Sequence, residues 1–424
     1  MTAPDSTSAE LAHGIRAPGT AAMIGGGVIG AIAAYLFQLL GGQVLGERAF
    51  APVGALWTAI FIIATILLIP LEQYATREVS RGRSPIRQDA WVVVGVILLA
   101  TLAGVGFVLA TLDTYFDGRP VYAVQMALMC VGFGVLFVAR GSLAGARRFR
   151  AVGGLLATES TLRLTVAVVV AIAGGSASSF GWAMVAAPLV VLAVPFWRSE
   201  TTDRSKPDRA VRFLAAYASG SAASQLLLAA SPLAVGFLGG SAVVFSIVFM
   251  TFTLFRAPLT LIYSLQGRLL SLLVRIVEVG DRRRLRMISA AFAGSALVLT
   301  ALAWVVGRVA GPPLVRLLAG EGFSPSPSVA ALVAAGMVAA SGAQITGQVL
   351  VAQGRSGRLA MGWITGLALG VVVLLLSRES ADLRVAQAFA VGELIALCFV
   401  GVTVLRFHRS GSWTAPDAVR TPVG

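Results

Sequence analysis

Four charged residues stand inside long apolar stretches of this 424-residue chain: Glu159, Arg163, Arg256 and Glu393. On insertion scales, placing a charged side chain at the centre of a bilayer costs about 2.5–3.5 kcal/mol. Such a residue is therefore expected to have a charge partner or a functional role. A buried carboxylate can take up a proton or a cation, and a guanidinium group can bind an anionic headgroup. These residues therefore indicate ion or amphiphile binding within a membrane.

Glu159 and Arg163 are four residues apart, which places them on one face of a helix. They form either a structural ion pair or a titratable relay in which protonation of Glu159 releases Arg163. Glu393 has no basic partner within its own apolar stretch. It is either paired with an arginine of another helix, such as Arg163, or neutral by protonation, or a site for a coupling ion.

Arg256 lies two residues before Pro258. Proline cannot donate a backbone hydrogen bond, so we expect the helix to bend there and to expose carbonyl groups. A permanent cation beside such a bend suits an anionic headgroup that approaches from the cytoplasm, although an arginine that reaches the membrane surface gives the same pattern. Further polar residues are predicted to line the cytoplasmic entrance through which such a headgroup would reach Arg256, although each also fits a plain interfacial position. These entrance residues are Glu72, Gln73, Arg77, Arg16, Gln266 and Arg268.

The apolar stretches that carry these charges are about 20 residues long, which is enough for a helix to cross the hydrocarbon core. Hydrophobic residues make up 57% of the chain and charged residues 12%, and the mean hydropathy is +0.86. The sequence therefore predicts an all-α polytopic membrane protein with about twelve transmembrane helices. The predicted spans are 19–41, 51–70, 90–111, 121–139, 151–173, 177–197, 212–238, 241–265, 286–307, 328–350, 359–377 and 385–405.

The net charge of +14 follows the predicted topology. Most basic residues lie in alternate loops, such as those around Arg81, Arg147 and Arg283, whereas the other loops carry few. Cationic loops stay in the cytoplasm during insertion, so we expect a multi-pass plasma-membrane protein with both termini cytoplasmic. This distribution explains the charge without a nucleic-acid partner.

The spans divide into two sets of six, separated by a polar segment, and the halves echo each other. Ala144-Gly-Ala-Arg147-Arg-Phe-Arg150 resembles Ala352-Gln-Gly-Arg355-Ser-Gly-Arg358. Because six is even, both halves begin on the same side, which predicts two six-helix bundles related by pseudo-two-fold symmetry with a cavity between them. The predicted parts are an N-terminal tail 1–17, a first bundle 18–198, a linker 199–210, a second bundle 211–405 and a C-terminal tail 406–424.

Two loops invite separate predictions. Segment 267–286, which includes Arg282-Arg283-Arg284, is either an amphipathic interfacial helix or a solvated loop. Segment 308–327, with Pro312 and Pro313, is the longest predicted external loop, and it is too short for a catalytic domain. We therefore expect no enzyme activity.

The sequence predicts no metal site and no cofactor. Its two histidines, His13 and His408, lie in the predicted tails. Gly25-Gly26-Gly27 lies in an apolar span with no preceding strand, so it does not fit a phosphate loop. Gly26 and Gly30 instead form a small-residue face for close helix packing.

Three segments carry a resemblance to a known family. They are VLGERAFAPVGALW at residues 44–57, LVRLLAGEGF at residues 314–323, and the Arg140-Gly-Ser-Leu-Ala-Gly145 turn. With the span count and loop pattern, they resemble polysaccharide flippases, the Wzx-like and MurJ-like branches of the multidrug/oligosaccharidyl-lipid/polysaccharide exporter superfamily. The chain has no arginine deep in its first span and lacks the two further C-terminal spans of the MurJ-like branch, so the resemblance favours a Wzx-like carrier.

The resemblance implies a V-shaped pair of bundles, with Arg256 on a helix that lines the central cavity. It also implies a flippase that translocates a polyprenyl-(pyro)phosphate-linked oligosaccharide by alternating access, for cell-surface polysaccharide biosynthesis. The implied partners are the lipid-linked glycan, membrane lipids, and a glycan polymerase or glycosyltransferases. Two alternatives stay open: a cation-coupled multidrug antiporter of the same superfamily, and a non-transporting scaffold of a cell-envelope complex.

Overall fold

The computed structural model describes residues 19–194, 214 and 225–407, and within these ranges the chain forms helices and no strands. Nine helices of this part of the chain are long and apolar enough to cross a membrane. The predicted all-α polytopic class is therefore confirmed. The described helices of ten residues or more are α1 Thr20–Ala49, α2 Ala51–Ser80, α3 Ala90–Ala110, α4 Val121–Gly145, α5 Phe149–Ile172, α6 Ala177–Ala193, α7 Leu226–Phe237, α8 Ala242–Glu278, α9 Arg282–Ala319, α10 Pro327–Ala352, α11 Ser356–Leu376 and α12 Ala381–Phe407.

The chain divides into two compact units between Ser219 and Gly220. In unit 1, α2 and α3 pack on α4, and α6 packs on both α4 and α5. In unit 2, α8 and α9 pack on α10, and α12 packs on both α10 and α11. The same helix pairs thus recur six helices later, as expected for a duplication. The predicted linker 199–210 lies outside the described residues.

Glycines bring α1 and α5 into backbone contact. A Cβ atom on Gly26 would collide with the backbone of Gly153, and one on Gly30 would lie 2.8 Å from the carbonyl oxygen of Leu156. The small-residue face predicted on α1 therefore does pack closely. Because the contact advances along both helices in the same direction, α1 and α5 are parallel. Phe37 of α1 therefore lies level with the turn of α5 that carries Glu159 and Arg163.

Helix α2 contains a wide turn ahead of its proline. Residues Ala64–Leu68 form a π-helical turn, and Pro70 follows it. Proline has no N–H group for the carbonyl of Ile66, and a wider turn is a common way for a helix to pass such a gap. The first half of α2 therefore ends in an irregular turn, and the second half carries Glu72.

The prediction of an external loop over 308–327 is wrong. Helix α9 continues through Pro312 and Pro313 to Ala319, so the connection to α10 is only a few residues long. A Cβ atom on Gly311 would lie 2.7 Å from the Cβ of Ala330 on α10. Close packing of these small residues holds α9 against α10 at the level of the prolines, so the helix does not end there.

Candidate functional site

The charged residues of α5 form a compact group in unit 1. Arg163 Nη1 lies 3.2 Å from Glu159 Oε1, so the predicted same-face pair is present. The Ser160 hydroxyl donates to Glu159 Oε2 at 3.0 Å and accepts from Arg163 Nη2 at 3.2 Å. Arg163 is 5% exposed, so its charge is balanced within one helical turn and away from water.

Two aromatic rings cover the Arg163 guanidinium. Its Cζ atom lies 4.6 Å from the centre of the Trp57 ring and 5.7 Å from that of Phe37. The two rings stack on each other with centroids 5.7 Å apart. The π faces of aromatic rings attract cations most strongly where water is excluded. The group therefore ties α1, α2 and α5 together, and sequence reasoning missed the aromatic half of it.

Unit 2 holds a second buried carboxylate. Glu393 on α12 is fully buried, and neither carboxylate oxygen has a hydrogen-bond partner. The charge that acts on it is that of Arg256 on α8, whereas Arg163 pairs with Glu159. The arginine that influences Glu393 is therefore Arg256 and not the suggested Arg163, and the three predicted alternatives for Glu393 stay predictions.

Aromatic packing sets the register of this second pair. Phe252 on α8 and Phe389 on α12 have ring centroids 4.7 Å apart. Arg256 and Glu393 each follow four residues later, one turn further along parallel helices. Arg256 is only partly buried, whereas Glu393 is completely buried. The carboxylate thus lies at the base of the pair, and the guanidinium keeps some exposed surface.

Glu72 forms an ion pair with an arginine of another helix, and its contact with a substrate stays a prediction. Arg140 Nη2 on α4 lies 3.1 Å from Glu72 Oε1, and the Arg140 guanidinium also lies 4.7 Å from the centre of the Phe137 ring. Glu72 therefore helps to hold α2 on α4. Gln73 and Arg77 are partly exposed on the same stretch of α2, and their contact with a substrate stays a prediction.

Further polar contacts secure the same end of α2. The Tyr74 hydroxyl donates to Asp89 Oδ2, and Arg83 Nη1 donates to Glu78 Oε2 at 3.2 Å. Glu78 and Asp89 are almost completely buried. Nothing in the local spacing of Glu72 and Arg140, or of Tyr74 and Asp89, could have indicated these pairs, because they depend on how separate helices pack.

The structure says less about the remaining residues predicted at the cytoplasmic entrance. Arg16 lies outside the described residues. Gln266 and Arg268 lie on α8, with side chains outside the described part. Among the residues that the structure describes, no group of three or more histidine, cysteine, aspartate or glutamate side chains could hold a metal ion.

No family model matches the chain. The uncharacterized protein Rv3630 of Mycobacterium tuberculosis is 26% identical over 435 residues, which cover 96% of each protein. The uncharacterized protein Rv1510 of the same species is 27% identical over 388 residues, which cover 85% of this chain and 86% of that protein. The similarity to these relatives therefore extends over most of the chain.

Solved structures with the same architecture are transporters. A multidrug resistance MATE family transporter of the MOP superfamily in an inward-facing conformation has a TM-score of 0.68 at 14% identity, covering 90% of this chain and 96% of that one. A mutant of the Vibrio cholerae MATE transporter VcmN has a TM-score of 0.56 at 17% identity, covering 93% and 98%. A MOP superfamily transporter from Pyrococcus furiosus, for which reverse polarity of the binding pocket suggests a different function, has a TM-score of 0.56 at 14% identity, covering 92% and 95%. The chain therefore has the fold of the MATE transporters of the MOP superfamily.

Proposed function

We propose that this protein is an alternating-access transporter that flips a polyprenyl-(pyro)phosphate-linked oligosaccharide across the plasma membrane, with both termini in the cytoplasm. The fold supports the transporter class, since MATE family transporters with this architecture occur in inward-facing and outward-facing conformations. The glycan substrate rests on the residues of the chain. No step in this function needs a cofactor.

The observation that carries the substrate proposal is the position of Arg256. Its side chain is partly exposed, and no hydrogen bond ties it to Glu393, since both carboxylate oxygens lack a hydrogen-bond partner. The carboxylate therefore offsets part of the charge of the guanidinium through space. A guanidinium in this position suits phosphate oxygens, which accept two parallel hydrogen bonds from arginine.

The charge balance of the buried groups is consistent with an anionic substrate. In unit 1 the Glu159 carboxylate is neutralised by Arg163. In unit 2 the Glu393 carboxylate faces the positive charge of Arg256. A carrier for cationic drugs needs an acidic group that is available to its substrate, and both of these carboxylates are already matched by a guanidinium.

In the proposed cycle the phosphate of the lipid carrier binds at Arg256 from the cytoplasmic side. The oligosaccharide occupies a hydrated cavity while the polyprenyl tail stays in the bilayer. A change to the outward-facing state then exposes the sugar outside. Glycosyltransferases would supply this substrate, and a glycan polymerase would consume it.

The direct test is flipping of a fluorescent lipid-linked oligosaccharide in proteoliposomes. Arg256→Ala should lower the rate at least about a hundredfold, the loss expected when a charge-assisted contact worth about 3 kcal/mol disappears. In cells the same variant should abolish surface glycan, a larger loss than any fall in protein abundance accounts for. Arg378→Ala, an exposed arginine of the same unit, serves as the matched control and should flip normally.

A second variant separates function from folding. Arg256→Ala leaves the Glu393 charge buried without its balance, which destabilises proteins. The double variant Arg256→Gln/Glu393→Gln removes both charges and keeps similar side-chain volumes. It should be folded and should still fail to flip the lipid. A folded double variant that flips at the wild-type rate would refute the assignment.

One observation favours a second candidate, the cation-coupled multidrug antiporter. The Glu393 carboxylate accepts no hydrogen bond, so it could serve a proton or cation that drives export. Deletion of the gene would then cause drug sensitivity with unchanged surface glycan. Glu393→Gln would abolish that resistance, whereas Arg256→Gln would leave it largely intact.

A further inference from the structure

The junction of α8 and α9 presents a surface that the transport proposal does not use. Its exposed residues, here called the basic patch, are Leu272, Arg275, Val279, Arg283, Arg284, Arg286 and Met287. Three of them are apolar, with exposures of 50% for Leu272, 81% for Val279 and 57% for Met287. Large apolar groups exposed among arginines are unusual on a surface that faces only water.

The end of α8 packs against the other helices of unit 2 and does not extend beyond them. Phe252 and Arg256 run in register with Phe389 and Glu393 of α12. If α8 continued straight with the offset of these two pairs, its residues 273–277 would lie level with positions 410–414. Those positions come after the last residue of α12. They pack instead in one core with Val400 and Val404. The last turns of α8 therefore lie nearer to the bundle than a straight continuation would bring them, and a bend at Pro258 is our explanation for this.

These last turns of α8 have two faces. Leu273, Ile276 and Val277 are buried against α10 and α12. Leu272 and Val279 lie on the opposite, exposed face with Arg275 between them. Helical periodicity keeps these sets apart. Of the two alternatives predicted for 267–286, the interfacial helix fits this arrangement, because a solvated loop would not keep an uncovered apolar face.

Helix α9 indicates the depth of the patch in the membrane. Arg308 lies 5.6 Å from the centre of the Trp304 ring, an arrangement typical of a membrane–water interface. A helix needs about 20 residues to cross the hydrocarbon core, which is about 30 Å thick. If Arg308 marks one surface of the membrane, the other surface lies near Ile288. Between these points α9 exposes Leu297, Val298, Leu302 and Val305. Arg283, Arg284 and Arg286 therefore lie at the level of the opposite headgroups.

The charge of this region is strongly positive. Residues 269–287 contain five arginines against Glu278 and Asp281. The Asp281 carboxylate accepts a hydrogen bond of 2.9 Å from the backbone N–H of Arg284, so it caps α9. A surface with exposed guanidinium groups and flanking aliphatic side chains is complementary to anionic lipid headgroups and the first methylenes below them.

We propose that the basic patch binds anionic phospholipid headgroups of the leaflet on its own side, predicted to be the cytoplasmic one, and that the end of α8 lies in that interface. The patch belongs to unit 2 alone and does not depend on which solute is transported. Each arginine near an anionic surface should strengthen the preference for anionic lipid about fivefold.

The test measures lipid preference without transport. The full chain is reconstituted in phosphatidylcholine bilayers, and electron spin resonance compares the association of spin-labelled phosphatidylglycerol with that of spin-labelled phosphatidylcholine. The wild type should prefer phosphatidylglycerol. Arg283→Gln/Arg284→Gln/Arg286→Gln should lower this preference at least about fivefold. The control Arg316→Gln/Arg378→Gln, which changes exposed arginines at the opposite end of the unit, should keep most of it.

A depth measurement tests the same proposal independently. Nitroxide labels are placed by Val279→Cys and Met287→Cys in a Cys398→Ala background, since Cys130 is buried. Both labels should be shielded from a water-soluble nickel complex and accessible to oxygen. Labels as accessible to nickel as an aqueous site would overturn the proposal. An unchanged lipid preference in the triple variant, or an equal loss in the control, would overturn it as well.

Discussion

Glu159 in unit 1 and Glu393 in unit 2 each lie within the influence of one guanidinium, but the two units arrange these charges differently. In unit 1 Glu159 and Arg163 lie on one helix within 3.2 Å, and aromatic rings of two other helices cover the cation. In unit 2 Glu393 and Arg256 lie on different helices, and the carboxylate accepts no hydrogen bond. Arg163 is almost completely buried, whereas Arg256 is partly exposed.

This difference separates a structural pair from a pair that is available for function. A pair formed within one helix does not depend on the relative positions of helices, so a conformational change need not disturb it. A pair formed between helices changes whenever those helices move, and its partly exposed arginine can exchange one anion for another. Under the proposed function, Arg163 therefore has the structural role and Arg256 the binding role.

The largest expected difference lies in stability. Arg163→Met removes the cation and leaves Glu159 charged and largely buried, which should lower the free energy of unfolding by about 3–5 kcal/mol. The midpoint of thermal unfolding in detergent should fall clearly, while flipping per folded molecule should stay close to wild type. Glu159→Gln/Arg163→Met should recover most of the stability. Loss of flipping in this stable double variant would break the proposed division of roles.

The aromatic cover of Arg163 provides the next effect. Trp57→Leu keeps an apolar side chain but removes the better of the two rings, so it should cost about 2 kcal/mol in a desolvated site. Trp57→Phe should retain part of that energy. Trp182→Leu is the control, since Trp182 is well exposed on unit 1. If thermal unfolding shows equal losses for Trp57→Leu and Trp182→Leu, the ring does not act through the cation.

Glu393 should control affinity instead of stability. Glu393→Gln removes the negative charge that competes with substrate phosphate for Arg256, so the lipid-linked substrate should bind about tenfold more tightly, equal to about 1.4 kcal/mol. Tighter binding should slow release and lower turnover. A titration with a short-chain polyprenyl pyrophosphate analogue measures the affinity. Glu159→Gln is the matched control and should leave the affinity for the analogue unchanged. If Glu393→Gln also leaves it unchanged, the proposed difference between the two carboxylates is wrong.

Local patterns in the sequence were enough to predict some of these features. Apolar runs located the helices, and a four-residue spacing placed Glu159 and Arg163 on one face, because both signals depend on helical geometry alone. The isolated position of Glu393 in its apolar stretch indicated a need for charge compensation, though not which arginine supplies it.

Contacts between helices could not be predicted in the same way. Phe37 and Trp57 reach Arg163 from α1 and α2, and Arg140 reaches Glu72 from α4, across more than sixty positions of sequence in each case. No spacing rule covers such pairs. The continuation of α9 past Pro312 depends on packing against α10, which overrides the usual reading of two prolines as a loop.

The smallest expected effect concerns Gln38, which follows Phe37 on α1. Its side chain is 1% exposed, and neither its amide nitrogen nor its amide oxygen has a hydrogen-bond partner. Burying such a group unsatisfied costs about 1–3 kcal/mol, so Gln38→Leu, which has similar volume, should raise the free energy of unfolding by about 1 kcal/mol. Gln125→Leu is the contrasting variant, since Gln125 Nε2 donates to the carbonyl oxygen of Ser178 at 2.9 Å, and it should be destabilising. If Gln38→Leu is stable but no longer flips the substrate, unit 1 holds a polar function beside its structural pair, and the contrast between the units must be redrawn.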